Sequence, residues 1–301
     1  LTPQATGSSF AGQDNRLNNV TVDGSYFNNP FGLGDGQPGG RTNVAPISLE
    51  SIEQVQVSIA PYDVRQGNFI GAAVNTVTRS GTNSYTGSAY TRYRNEDFVG
   101  KTAKGNAFNP GTFKTKATGG WAGGPIVKNK WFVFGSYEKQ DDSRPLSNFT
   151  ANTGGQTVGG NTTRVLASDL TALSNFLKTK FNYETGPYEG ISKKTPAKPL
   201  LVKTDFNLSS TQKVTFRYSQ LNSSSDQILS TSSSLGFGRG SNNSTNFLSF
   251  QGSNYAIMEN YKSGILEYNA VIKNTMANNL IVGYTTNDES RSPLSSLFPF
   301  V

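Results

Sequence analysis

The chain contains neither cysteine nor histidine. Ser-His-Asp and Cys-His catalysis, and ordinary zinc sites, therefore lack residues they require. Among the carboxylates, the adjacent aspartates Asp141-Asp142 come nearest to an acid–base pair. They stand at a strand-to-loop edge beside Arg144, the setting of a solvated loop, and no other carboxylate converges on them. The glycine-rich run from Gly32 to Gly40 is not a phosphate loop, because no Gly-Lys-Ser/Thr follows it and no helix opens after it. The residues thus give no catalytic set, no metal ligands and no cofactor, and the chain is read as not an enzyme.

Lysine and arginine exceed aspartate and glutamate by 27 to 20, a formal charge of +7. The basic residues are scattered singly or in pairs such as Lys193-Lys194, with no basic helix. That pattern argues against nucleic acid and for a solvated or lumen-facing basic surface that can meet anionic lipid headgroups. The lack of cysteine suits an exported bacterial protein as well as a cytosolic one.

Only 34% of residues are hydrophobic, while glycine (32), phenylalanine (19) and tyrosine (13) are abundant. A soluble enzyme of this length is normally richer in Leu, Ile and Val. No run approaches the roughly 18 apolar residues of a membrane helix. Low hydropathy is compatible with a membrane barrel, whose strands need only every second residue apolar.

The elements that would position any site begin after a turn-rich stretch. Residues 1 to about 45 carry too many turn formers for a helix. Val20 to Gly24 reads as a short strand ending in an Asp-Gly turn. Ile47 to Ser51 is expected as a short helix capped by Ser48, followed by strands over Ile52 to Ile59 and Asn68 to Thr78. Arg79 to Asn83 is the connector out of this region.

Beyond it, period-two alternation dominates. Strands are expected over Tyr85 to Arg94, Phe113 to Trp121, Trp131 to Tyr137, Leu200 to Leu208, Lys213 to Leu221, Asn254 to Asn269 and Thr275 to Asp288. Trp131 to Phe134 is apolar on both faces, which suggests lipid on one side and protein on the other. Between Gln140 and Pro199 a helix is expected, with Ser168 as its N-cap and Leu170, Leu173, Phe176 and Leu177 at helical spacing. Short connections alternate with long ones, the topology of an outer-membrane barrel with short periplasmic turns and long outer loops. The fold class is therefore mainly β: a transmembrane antiparallel β-barrel, partial here, preceded by a small mixed α/β plug domain. The expected division is residues 1–84 and 85–301. Seven strands fall short of the roughly 22 of a plugged barrel, so the chain is expected to be part of a larger protein. Leu1-Thr2-Pro3 opens without a charged or apolar leader, so a signal peptide would lie upstream.

Three segments carry a resemblance: Ser51 to Val57, Ala60 to Gly67 (APYDVRQG) and Val74 to Asn83 (VNTVTRSGTN). Together they resemble the later half of the plug of TonB-dependent outer-membrane receptors. The similarity is strongest to the Oar-like branch found in Bacteroidota and Myxococcota. Asp23-Gly24, Asn28-Asn29, Asn175 to Tyr183, Thr204 to Phe206 and Phe216 to Tyr218 are similar to the same branch. The resemblance implies a bacterial outer-membrane transporter whose plug is remodelled by an inner-membrane TonB-type energy transducer, through a binding box that this sequence does not contain. It implies plug arginines paired with wall glutamates: Arg65 and Arg79 are the candidates on the plug, with Glu138, Glu259 or Glu267 as candidate partners on the wall. Outer-membrane lipid or lipopolysaccharide is an expected neighbour, and a surface lipoprotein or barrel-assembly partner a further one. The alternatives are a passive or adhesive surface barrel, or an incomplete barrel held by an assembly or secretion machine.

Overall fold

A computed structural model describes residues 10, 18–28, 37–59, 72–107, 111–229, 244–273 and 275–296. It contains two principal sheets. The smaller has four strands: β1 (Asn19–Val22), β2 (Ser25–Tyr26), β3 (Ile52–Ile59) and β4 (Ala72–Thr78), in the order β2-β1-β4-β3. β1 runs parallel to β4, and β3 antiparallel to it. Asp23 and Gly24 both have positive φ, 48° and 78°, the backbone that a two-residue hairpin turn demands. The stretch expected to be a short helix is a 3-10 turn, Leu49–Ser51. Its Ser48 makes no capping bond, because that hydroxyl is engaged elsewhere.

The larger sheet is an antiparallel meander of seven strands. β5 (Thr86–Asn95) leads to a short hairpin, β6 (Thr102–Ala103) and β7 (Asn106–Ala107). β8 (Lys114–Val127) and β9 (Trp131–Pro145) follow, then a loop holding β10 (Thr150–Asn152), β11 (Thr162–Leu166) and α1 (Ala167–Phe181). β12 (Ser192–Asn207), β13 (Gln212–Gln227), β14 (Tyr255–Ile272) and β15 (Met276–Pro293) complete the sheet. All seven strands appear where alternation put them, and most run further. The extensions lie mainly toward the long loops, where polar residues continue the ladder without an apolar face. α1 begins at Ala167, with Leu166 rather than Ser168 in the capping position, and ends on Asn182 at φ 50°.

The inner face is defined by what the small sheet covers. Along β13, Thr215, Arg217, Ser219, Leu221, Ser223 and Ser225 are buried, while Phe216 between them is exposed. The outward face carries Trp131, Val202, Phe206, Phe216, Leu266, Leu280, Val282 and Tyr284, all exposed. Trp131 stacks edge-on against Phe206 and donates its Nε1–H to Thr204 Oγ1 at 2.7 Å. An apolar outside and a polar inside, alternating along long tilted strands, is what lipid requires of a barrel wall. The shared core joins both sheets: Val20, Val22, Phe27, Val44 and Ile47 from one side, Ala197, Leu221 and Tyr261 from the other. Phe27 meets Tyr261 edge to face at 5.0 Å.

Candidate functional site: the seam between the two sheets

The Asp-Gly turn of the small sheet presents the Asp23 carboxylate to the wall. Oδ1 accepts the Thr78 amide at 2.7 Å, and Oδ2 accepts the Thr78 hydroxyl at 2.6 Å. From the wall, Arg217 Nη1 donates to Oδ2 at 2.9 Å and Lys203 Nζ reaches it at 3.3 Å. Arg217 also donates to the Val22 carbonyl at 2.6 Å and to the Ser25 hydroxyl. Lys203 further bonds the Thr78 carbonyl and hydroxyl. The three charged side chains are nearly sealed, with 12% (Asp23), 8% (Lys203) and 4% (Arg217) of their surface exposed.

Lys203 and Arg217 are register partners on adjacent strands. Two cations side by side on one face repel one another. The carboxylate inserted between them offsets that repulsion, so the wall is electrostatically incomplete without the small sheet. Burial by itself raises the Asp23 carboxyl, yet Lys203, Arg217 and the Thr78 hydrogen bonds outweigh it and hold the group below its ordinary value.

Two wall glutamates form further contacts. Glu138, 2% exposed, accepts from Ser48 Oγ at 3.2 Å, from the Tyr90 hydroxyl and from Gln140, while Arg92 bridges it to Glu50. Tyr90 can lean over β8 because Gly119 has no side chain there; a Cβ would sit 2.8 Å from its hydroxyl. Glu259 accepts the Gly39 amide at 2.6 Å and lies 3.5 Å from the Thr42 hydroxyl. Arg41 pairs with Glu289 at 2.7 Å, and Ser51 bonds Ser136 at 2.6 Å.

The expected arginine partners are distributed differently. Arg65 lies outside the described residues. Arg79 donates Nε–H to the Ile52 carbonyl at 3.4 Å and lays its guanidinium 4.8 Å from the ring centre of Trp121. Among the described residues it has no ion pair with Glu138, Glu259 or Glu267. Glu138 and Glu259 do meet the small sheet and its adjoining loop, through hydroxyls and an amide. Glu267 accepts from Asn269 and Asn279, both within the wall. Sequence reading missed Asp23, Lys203, Arg217, Arg41 and Glu289. Asp23 carried only its turn signal, and the two wall cations only their place on a polar strand face.

Residues 77–192 match the family described as an outer membrane beta barrel domain. The chain is 28% identical over 180 residues to the TonB-dependent transporter Oar of Myxococcus xanthus, covering 54% of this chain and 16% of that protein. Its fold is similar to that of the outer membrane transporter YddB of Escherichia coli, with a TM-score of 0.59 at 12% identity, covering 94% of this chain and 33% of that one. The siderophore receptor PirA of Acinetobacter baumannii gives 0.56 at 14% identity, covering 93% and 33%. The chain thus spans a sixth to a third of the length of these proteins. The domain match and the seven-stranded wall define an outer-membrane β-barrel protein, located in the bacterial outer membrane. Within that class, the chain is similar in sequence to a TonB-dependent transporter and in fold to solved outer-membrane transporters and receptors.

Proposed function

We propose that the whole protein is an energised transporter in which residues 1–84 form the later part of a plug and residues 85–301 the first strands of the wall that encloses it. One observation carries the reading: a buried carboxylate on the small sheet is clamped between two cations on the wall. Such a contact holds firmly while both partners are present and is lost together with the sheet that bears Asp23. Removing one partner of a buried pair strands a charge at a cost of about 3–5 kcal/mol. The contact therefore acts as a latch that thermal motion rarely opens and that a pulling partner overcomes. Arg41 with Glu289, and Ser48 with Glu138, extend it along the seam. The pulling partner is a TonB-type energy transducer, and the cargo is a solute too large or too scarce for passive diffusion.

The test places the full-length protein in planar bilayers under mild urea. Asp23→Asn should raise the frequency of pore openings, and uptake by cells should vanish when the energy transducer is deleted. Closed-state conductance identical in wild type and D23N removes the latch. Uptake that persists without the transducer favours a passive barrel.

A further inference from the structure

Above the apolar band, the outward face of β8, β9 and β12 carries a group of lysines. Lys114 and Lys116 alternate with partly buried Thr115 and Ala117 on β8. Lys139 is exposed beside buried Glu138 on β9. Lys194 and Lys198 are exposed while Thr195 and Ala197 are buried on β12. All five side chains therefore project from the lipid side of the sheet.

The register sharpens the grouping. Lys116 stands opposite Asp141, and Asp141 opposite Pro196. Lys198 and Lys139 both fall in the break of the ladder between Ala197↔Gln140 and Leu200↔Tyr137, which brings them near one another on the outer face. Neighbouring strands are about 4.8 Å apart, so the patch is roughly 10 Å wide, and neighbouring like charges are unfavourable unless an anion joins them. The protein supplies little of that charge. Asp141 lies 3.4 Å from Lys139 Nζ, with both groups half exposed. Asp226 accepts the Lys194 amide rather than its ammonium. Lys114 sits 5.8 Å over the Tyr93 ring. Among the described residues, Lys116, Lys194 and Lys198 have no carboxylate partner.

Trp131 marks the lower edge of the apolar band, and Lys139 stands eight residues further along β9. At about 3.4 Å per residue and a tilt near 40°, that is roughly 20 Å of height, close to the ~25 Å of the apolar band of such barrels. The patch is thus at the outer headgroup level. Along the same register β13, β14 and β15 offer Asn222, Asn260 and Asp288, and beyond the three strands β14 adds only Lys262, exposed two residues from Asn260.

We propose that this patch seats the phosphate-bearing headgroup of a glycolipid of the outer leaflet, its acyl chains lying along the apolar face below. The assignment needs only the outer-membrane location and stands apart from the transport reading. It is tested with full-length protein in phosphatidylcholine nanodiscs doped with bisphosphorylated lipid A, counting retained lipid by native mass spectrometry. Wild type should retain the glycolipid, and K116Q/K139Q/K194Q/K198Q should retain about tenfold less or lower still. K139Q/K198Q alone removes the two exposed lysines at the ladder break without burying anything, and should show a smaller loss in the same direction. Retention unchanged in both variants overturns the proposal. So does equal retention of fully dephosphorylated lipid A, or displacement by phosphatidylglycerol at equal mole fraction.

Discussion

Lys203 and Arg217 face one another across β12 and β13, and both point at the Asp23 carboxylate of the other sheet. This arrangement reverses the polarity that the family resemblance implies: the acid is on the small sheet and the cations on the wall. It also makes the two sheets electrostatically dependent on each other. Separated, the small sheet keeps an acid on a hairpin tip, and the wall keeps two adjacent cations.

Replacing Asp23 alone should therefore do more harm than removing the whole cluster. D23N leaves two cations facing one another under a neutral cap and should weaken docking of the small sheet by about 3–5 kcal/mol. The triple variant D23L/K203M/R217M exchanges the cluster for apolar side chains and should recover most of that loss. Hydrogen exchange at the Thr78 amide, which Asp23 accepts, reads docking directly. Equal protection in wild type and D23N would show that the cluster carries no docking energy.

The seam should also respond to acid. The Asp23 carboxyl is held below its ordinary 3.8 by Lys203, Arg217 and Thr78, against the opposing effect of burial. A group whose bound-state value is depressed contributes stability that is fully present above its free-state value and is lost as pH falls through the bound-state one. Docking should thus be constant from neutral pH down to the ordinary aspartate range and weaken only below it. In D23N the Asp23-linked part of this slope should disappear. Limited proteolysis of the small sheet across that pH range provides the measurement, and a slope equal in both proteins would assign the acid response to other groups.

Much of the wall was legible because alternation is a local signal: β13 shows Phe216 outward and Arg217 inward as its residue order dictates. What escaped depends on pairings between distant residues. Gly123-Gly124-Pro125 has the composition of a turn, yet β8 runs through it to Val127. The glycines serve another purpose there, since a Cβ on Gly124 would lie 2.3 Å from the Tyr85 ring, and Gly123 lies against Gly81. The strand expected from Leu200, after the long segment ending at Pro199, starts eight residues earlier at Ser192 and runs through Pro196 and Pro199, with no ladder partners on β9 for Lys198 and Pro199. A symmetric turn over Ser209 to Gln212 would set Thr204 opposite Arg217. The actual register pairs Asn207 with Lys213 and so brings Lys203 there instead. The partner of Asp23 is hidden further still, because it lies 180 or more residues away in another sheet.

The connector between the sheets should behave as a fixed anchor. Arg79 covers the Trp121 ring, and Gly81 sits so close to Gly124 and Val133 that a Cβ would meet their carbonyls at 2.7 and 2.4 Å. Asn83 exchanges two hydrogen bonds with Asn129 at 2.7 and 2.8 Å, and the Tyr85 hydroxyl donates to the Pro125 carbonyl at 2.8 Å. Four successive ties to one end of the wall leave little freedom at the exit of β4. Arg79→Ala should loosen the connector by about 0.5–2 kcal/mol, the range of a cation–π contact, while Arg79→Lys keeps part of it. Trp121 and Trp131 are the only tryptophans, so a W131F background isolates Trp121 as the reporter. Its fluorescence should become more accessible to iodide in R79A and remain largely shielded in R79K. Equal accessibility in R79A and wild type would mean that the stacked guanidinium does not hold the connector.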